Sequence, residues 1–332
     1  MASPVNTWNS FEAIGNREDL SDAIYDISPT ETPFVSNIAR TSATSTAHEW
    51  QTGSIDAATV QAYFEGDDAA ADAANATVRL VNDTQIFRKV ISVSGTQRAV
   101  RSAGRADEYE YQLMQKGRAL KTNIEKTALG QQGRSGATTT ATARQMAGVA
   151  TWLSANKVHF ASTSTTPGSG ATLVIGNVAG VTVTTATQLQ APLNTVIQQV
   201  WSAGGDPGII MCNAATKQRL SNLNGIATLY RDVPADQQGR IVAGADWYTS
   251  DFGNHAIVPN RFMPNSNTAG NAQVNALYVL DMDYWAIAEL RPMTTEPLAK
   301  TGDSDRAMLL CEATLEARNG GASGKVSDFI FA

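Results

Sequence analysis

From Glu108 to Gly130 the apolar positions Leu113, Leu120, Ile124 and Ala128 fall near one face of a helical repeat, and charged residues fill the other. The spacing predicts a helix over residues 105–129, ~37 Å long at about 1.5 Å per residue. Asp107 and Glu108 stand where the helix dipole favours acids, and Gly130 stands where a helix stops. Towards the C-terminus the period changes to two. Leu309, Cys311, Ala313 and Leu315 alternate with Leu310, Glu312, Thr314 and Glu316, which is a strand pattern, and "YWAIAELR" at 284–291 reads as a second strand. Residues 291–305 between them carry no period and are expected to form a structureless loop, of the length that is usually functional or disordered.

The stretch 187–281 has a mixed texture: a helix in "TQLQAPLNTVIQQVWSAGGDPG", a buried strand "IIMC", and a second helix from Ala214 that Asn213 can cap. Strands follow in "GRIVAGADWYTSDFG", "HAIVPN" and "NALYVLD". The whole is α+β. Residues 130–145 read as an irregular linker and 160–186 as short strands between flexible turns.

Two segments cannot stand alone. Near the N-terminus Leu20, Ile24 and Ile27 follow helical spacing up to Ser28 and Pro29. Ser28, Pro29 and Glu31 then form a capping-box pattern, and Thr32 with Pro33 repeats the device before Phe34, Val35 and Ile38. Helices this short are marginal in water, so a partner must hold them. Between Arg40 and Arg79 there is no Lys or Arg, but there are Glu49, Asp56, Glu65, Asp67, Asp68 and Asp72. The flanks "TVRLV" and "RKVISVSGT" read as strands around a long acidic tip. A lone two-stranded ribbon is barely stable, so such a hairpin lies on a partner; the alternative is a disordered acidic loop.

Composition sharpens this. Charged residues are 17% of the chain, below the typical ~25%, and depletion of Lys and Glu is what large permanent interfaces show. A Thr- and Ala-rich soluble protein has the same composition. The net charge of −6 offers no basic footprint for reading nucleic acid. Cys212 and Cys311 lie far apart in apolar stretches, as buried free thiols in a reducing compartment would. No stretch resembles a signal peptide or a membrane span.

The chemistry of an active site is not assembled. His48, His159 and His255 lack metal-ligand spacing, and the glycine clusters "GQQGRSG" and "GGASGK" lack the lysine-and-hydroxyl ending of a phosphate loop. Asp281 and Asp283 form a D-x-D that could hold a metal but fits a turn at a strand end. No catalytic residue, metal or cofactor is expected.

Five blocks, in this order, resemble the major capsid proteins of tailed bacteriophages with the Hong Kong 97 fold, in an SU-ten-like group. They are "NREDLSDAIYDISPTETPFVSNIAR" (16–40), "VSGTQRAV" (93–100), "EYEYQLMQKGRALKTNIEKTALG" (108–130), "EPLAKTGDSDRAMLLCEATLEARN" (296–319) and "VSDF" (326–329). The resemblance implies an N-arm (1–45), an E-loop hairpin (46–95), a peripheral domain with a spine helix (96–186), an axial domain (187–281), and a return to the peripheral domain (282–332). It also implies a non-enzymatic subunit that self-assembles as hexamers and pentamers into an icosahedral virion shell around double-stranded DNA, made in a host bacterial cytoplasm. An encapsulin-like compartment is the nearest alternative, and a metal-dependent enzyme built on 187–281 a more distant one.

The residues expected to meet neighbouring subunits are Leu20, Ile24, Ile27, Phe34 and Ile38 of the arm, Glu65, Asp67 and Asp68 of the hairpin, and Lys300, Asp303, Asp305 and Arg306 of "AKTGDSDR". That last cluster reads equally as a solvated turn. Removing residues 1–40 is expected to spare the body. Some relatives weld their lattice through an E-loop lysine, but the first lysine here is Lys89, at the hairpin's returning base. A non-covalent lattice is therefore expected, with a separate scaffolding protein, a portal and an optional decoration protein as partners, non-specific DNA contact, and no membrane contact.

Overall fold

The computed structural model describes residues 28–68, 72–100, 104, 106–136, 143–153, 155–160, 181–185, 187–223, 245–265 and 275–331. Leu20, Ile24 and Ile27 lie outside them. Regular structure starts at α1 (Pro33–Asn37) and β1 (Ala39–Ser42), followed by β2 (Ala47–Thr52), β3 (Val78–Asp83), β4 (Gln85–Ser94) and the short α2 (Gly95–Ala99). The long helix α3 (Glu108–Ala128) comes next, then α4 (Val149–Trp152), β5 (Asn156–His159) and β6 (Val181–Val183). An α/β segment holds α5 (Thr187–Ser202), β7 (Ile209–Cys212), α6 (Ala214–Ser221), β8 (Trp247–Ser250), β9 (Gly253–Pro259) and β10 (Asn275–Leu280). The last strands are β11 (Trp285–Leu298), β12 (Ser304–Ala317) and β13 (Gly324–Phe331).

Helix α3 forms where the apolar spacing places it. The Asp107 carboxylate accepts the Tyr109 amide at 2.9 Å and caps the first turn. Leu120, Ile124 and Ala128 are buried, and so is Glu125, which borders the apolar stripe. The helix lies on a four-stranded sheet in the order β1-β11-β12-β4. Phe87, Leu309 and Cys311 face it and join its core.

The expected loop at 291–305 is instead a hairpin. β11 and β12 pair from Trp285–Ala317 out to Leu298–Arg306, leaving only residues 299–303 as the turn, with Gly302 at φ 154°. The outer half of β11 is exposed on both faces, so no apolar period marks it. Pro292 sits among the register shifts between Glu289 and Thr294, where a strand tolerates a missing donor.

The second sheet has seven strands among the described residues, ordered β5-β13-β10-β7-β9-β8, with β6 also on β13. Every residue of β10 is buried. Tyr278 and Leu280 face the α3 core, while Leu277 and Val279 face a second core built on α5 by Leu189, Leu193, Val196, Ile197 and Val200. A strand covered on both faces reads as a continuous apolar run, as "NALYVL" does. The Tyr278 hydroxyl donates to the Leu129 carbonyl at 3.1 Å, a hydrogen bond between this sheet and the end of α3.

Three expected domain boundaries move. Residues 33–43 are not a free arm: Phe34, Ile38 and Ala43 are buried, and β1 pairs in parallel with β11. β4, with Lys89, is not part of the ribbon but the edge strand of the four-stranded sheet. β13 does not return to that sheet; it pairs with β10 and β5 in the seven-stranded one.

Candidate functional site: the assembly surfaces

The ribbon of β2 and β3 is anchored at its base. The Trp50 indole donates to the Ala317 carbonyl at 2.8 Å, and its ring packs 5.2 Å from that of Trp152. Buried Asn82 accepts the Ala147 amide at 2.9 Å and donates to the Leu315 carbonyl at 2.7 Å. Glu316 gathers three elements, accepting from Thr41 at 3.0 Å, meeting His48 Nε2 at 3.2 Å and Arg318 at 3.3 Å.

Beyond Thr52 the ribbon leaves the body. The described residues between 53 and 77 form no regular structure, and Ile55, Val60, Tyr63 and Phe64 are 97, 104, 73 and 89% exposed. Ile55 and Val60 have essentially no cover from their own subunit, and Tyr63 and Phe64 have little. Asp56, Glu65, Asp67, Asp68 and Asp72 stand beside them, exposed. The tip is both apolar and acidic.

A surface with two arginines and several apolar groups lies on the body, with exposed Glu296 of β11 opposite Met308 on the same face. Directly opposed strand residues share a face, so Arg88, Val90 and Ser92 of β4 align with Leu310, Met308 and Arg306 of β12 on the side away from α3. Val90 is 49% exposed, and Arg88 and Arg306 are exposed. Among the described residues β4 is an edge strand, with no strand paired along its outer side.

Phe34 and Ile38, expected to be covered by a neighbour, are covered by their own chain. Phe34 packs against Trp285 and α3, while Ile38 joins the same core. The first capping pattern at Ser28 begins no helix. α1 starts at Pro33, where Thr32 makes no side-chain cap. The amides of Phe34 and Val35 donate instead to Glu125, each at 2.8 Å. Glu125 and Asn260, which donates to the same carboxylate, carry no local sequence signal for this contact.

In the turn of the β11–β12 hairpin, Lys300 pairs with Asp305, and Asp305 also takes Arg98, whose other arm holds Asp107 at 3.0 Å. Hydrogen bonds from Lys300 and Arg98 hold the Asp305 carboxyl below the usual carboxylate range. The Asp303 carbonyl accepts the Gly95 amide at 3.2 Å. Lys300 and Asp305 are thus neutralised within the chain, while Arg306 points onto the outer sheet face. Asp281 caps a short turn by accepting the Asp283 amide at 3.3 Å, and among the described residues no cluster of His, Cys, Asp and Glu could hold a metal.

A long helix across a sheet, a seven-stranded α/β body and a projecting ribbon make up a capsid subunit of the Hong Kong 97 type. Solved structures share this fold: the capsid of a native GTA particle matches with TM-score 0.60 at 12% identity, covering 97% of each chain. The mature capsid of bacteriophage PhiM1 matches with TM-score 0.57 at 10% identity, covering 98% of this chain and 96% of that one. The chain belongs to the family described as SU10 major capsid protein, which matches residues 5–329. It is also 28% identical to the major capsid protein of Escherichia phage Phieco32, over 98% of this chain and 97% of that protein. It is a major capsid protein of a tailed phage and forms the icosahedral head shell of the virion.

Proposed function

We propose that the lattice of this shell is held without covalent links between subunits, chiefly by seating the ribbon tip of one copy on the outer sheet face of another. The observation that carries this is the tip: Ile55, Val60, Tyr63 and Phe64 are largely exposed on their own subunit, and a side chain of this kind gains roughly 1.5 to 3 kcal/mol on full burial. The acids around them complement Arg88 and Arg306, and the apolar side chains complement Val90 and Met308. No lysine stands between residues 41 and 78, so the ribbon has no amine for an isopeptide bond.

The subunit acts as a structural part with no catalytic residue and no cofactor. Assembly uses a separate scaffolding protein and a portal, with a decoration protein as an optional addition. Genome contact is non-specific, since a protein with net charge −6 lets DNA slide where a cationic lining would retain phosphates. The test is electron microscopy of the purified product with and without nuclease. Closed shells holding protected DNA are expected when the packaging proteins are present. Shells that enclose a protein cargo and never DNA would favour an encapsulin-like compartment, and a 35.2 kDa monomer would overturn the assembly reading.

A further inference from the structure

Glu125 is fully buried on α3. Its Oε1 accepts the Phe34 amide at 2.8 Å and Asn260 Nδ2 at 2.6 Å, and its Oε2 accepts the Val35 amide at 2.8 Å. Among the described residues no Lys or Arg forms an ion pair with it, so these three donors stand in for water around a buried carboxylate. Desolvation raises its pKa above the usual glutamate value despite them. Taking away any one donor leaves a buried charge short of a hydrogen bond, which costs more than the bond contributes when made.

The donors come from separate parts of the molecule. Phe34 and Val35 belong to α1, the first helix of the described residues and the root of the arm. Asn260 belongs to the turn after β9 in the seven-stranded sheet. Its own orientation is set, because Oδ1 accepts the Phe262 amide at 2.9 Å and so turns Nδ2 towards Glu125. Asn260 follows β9 directly, so a shift of the seven-stranded sheet against α3 changes the distance to Glu125.

We propose that Glu125 is a coupling residue: the seating of the arm root on α3 depends on the position of the seven-stranded sheet, and the position of the sheet depends on the arm root. When the sheet moves away, the carboxylate loses Asn260 and draws water, and the amides of α1 lose their dry acceptor. Such coupling is reciprocal. In a shell, rotation of one body of the subunit would thereby release or seat the arm root on α3. This consequence rests on the shell function, but the coupling itself does not.

The experiment is hydrogen exchange on the full-length chain, comparing wild type with N260A and E125Q. Among the described residues no hydrogen bond joins Asn260 to α1 directly, so a role limited to its own bonds with Met211 and Phe262 would not touch the arm root. Coupling predicts that N260A raises exchange of the Phe34 and Val35 amides about tenfold, the scale of one charged hydrogen bond, with β7 and α5 still protected. E125Q sets an amide N–H against a backbone N–H and is expected to raise exchange further, and the double variant adds less than the product of the two. Should N260A not fold, N260S is read in the same way. Wild-type exchange at Phe34 and Val35 in the Asn260 variant, or a uniform rise across the whole core, would overturn the proposal. Because exchange is read on the chain itself, a failure to form shells is scored separately.

Discussion

The ring of Phe34 meets that of Trp285 edge-on, with centroids 6.0 Å apart and planes at 67°. It makes the root of the arm part of the core that α3 shares with the four-stranded sheet, and it sets where the chain can be cut. Deleting residues 1–31 is expected to leave a folded, cooperative body. Deleting 1–40 removes Phe34, Ile38 and two residues of β1, and F34A alone is expected to cost about 3 to 5 kcal/mol. Denaturant melts of the two truncations check this; equal stability would show that Phe34 is dispensable to the core.

Charge complementarity predicts the behaviour of the ribbon. Replacing Glu65, Asp67 and Asp68 by lysine is expected to leave folding unchanged and to abolish shells. Adding R88E and R306E to the same chain is expected to restore part of the yield. Sedimentation of assembly reactions gives the readout, and a charge-swapped chain that assembles no better than the triple lysine variant would place the tip on another surface.

Reversal of Lys300 has a different signature. K300E sets a second acid beside Asp305, which Arg98 continues to hold. Little change in folding is expected, because Lys300 is exposed, while shell yield is expected to fall and to depend on salt. Equal yield from low to high ionic strength would mark the turn as solvated.

The absence of a lysine on the ribbon predicts a single band near 35.2 kDa when mature particles are boiled in denaturant. A ladder of multiples would reveal cross-linked subunits.

Lys325 predicts a pH dependence. Its ammonium donates to the Ala150 carbonyl at 2.7 Å inside the second sheet, and burial pulls its pKa down from 10.5 to about 8. The folded chain releases this proton earlier than the unfolded chain does. The penalty is therefore greatest below about 8 and shrinks as pH rises towards 10.5, by roughly 3 kcal/mol in full. Buried Tyr278, whose pKa is raised above 10.0, opposes the gain only above its usual range. Above 9.0 the buried thiols Cys212 and Cys311, pushed up to about 12 and about 11, oppose the gain in either chain, because the unfolded chain loses those protons first. Between pH 8 and 10.5 the unfolding free energy of wild type is therefore expected to rise relative to that of K325M, and parallel profiles would mean that Lys325 reaches water.

The helix over 108–128, the alternation of β12, the Asn213 cap and the two buried thiols were all legible in the order of the residues. Each depends on a local period or a single neighbouring donor, and the blocks that resemble phage capsid proteins rest on the same local order. That the ribbon tip finds little cover on its own subunit was also legible, since a long two-stranded ribbon is barely stable alone.

What the tertiary structure alone decided is which partner covers each apolar face. A period shows that Phe34 and Ile38 will be buried but not by whom, and their own core covers them where a neighbour was expected. The outer half of β11 has no period because both its faces are exposed, yet backbone pairing with β12 makes it a strand. The chain order of β13 points to β12, but its register lies with β10 and β5. Glu125 reads as one more charge beside an apolar stripe. Only folding brings Phe34, Val35 and Asn260 around it, because hydrogen-bond partners about 90 and 135 residues away along the chain leave no trace in local spacing.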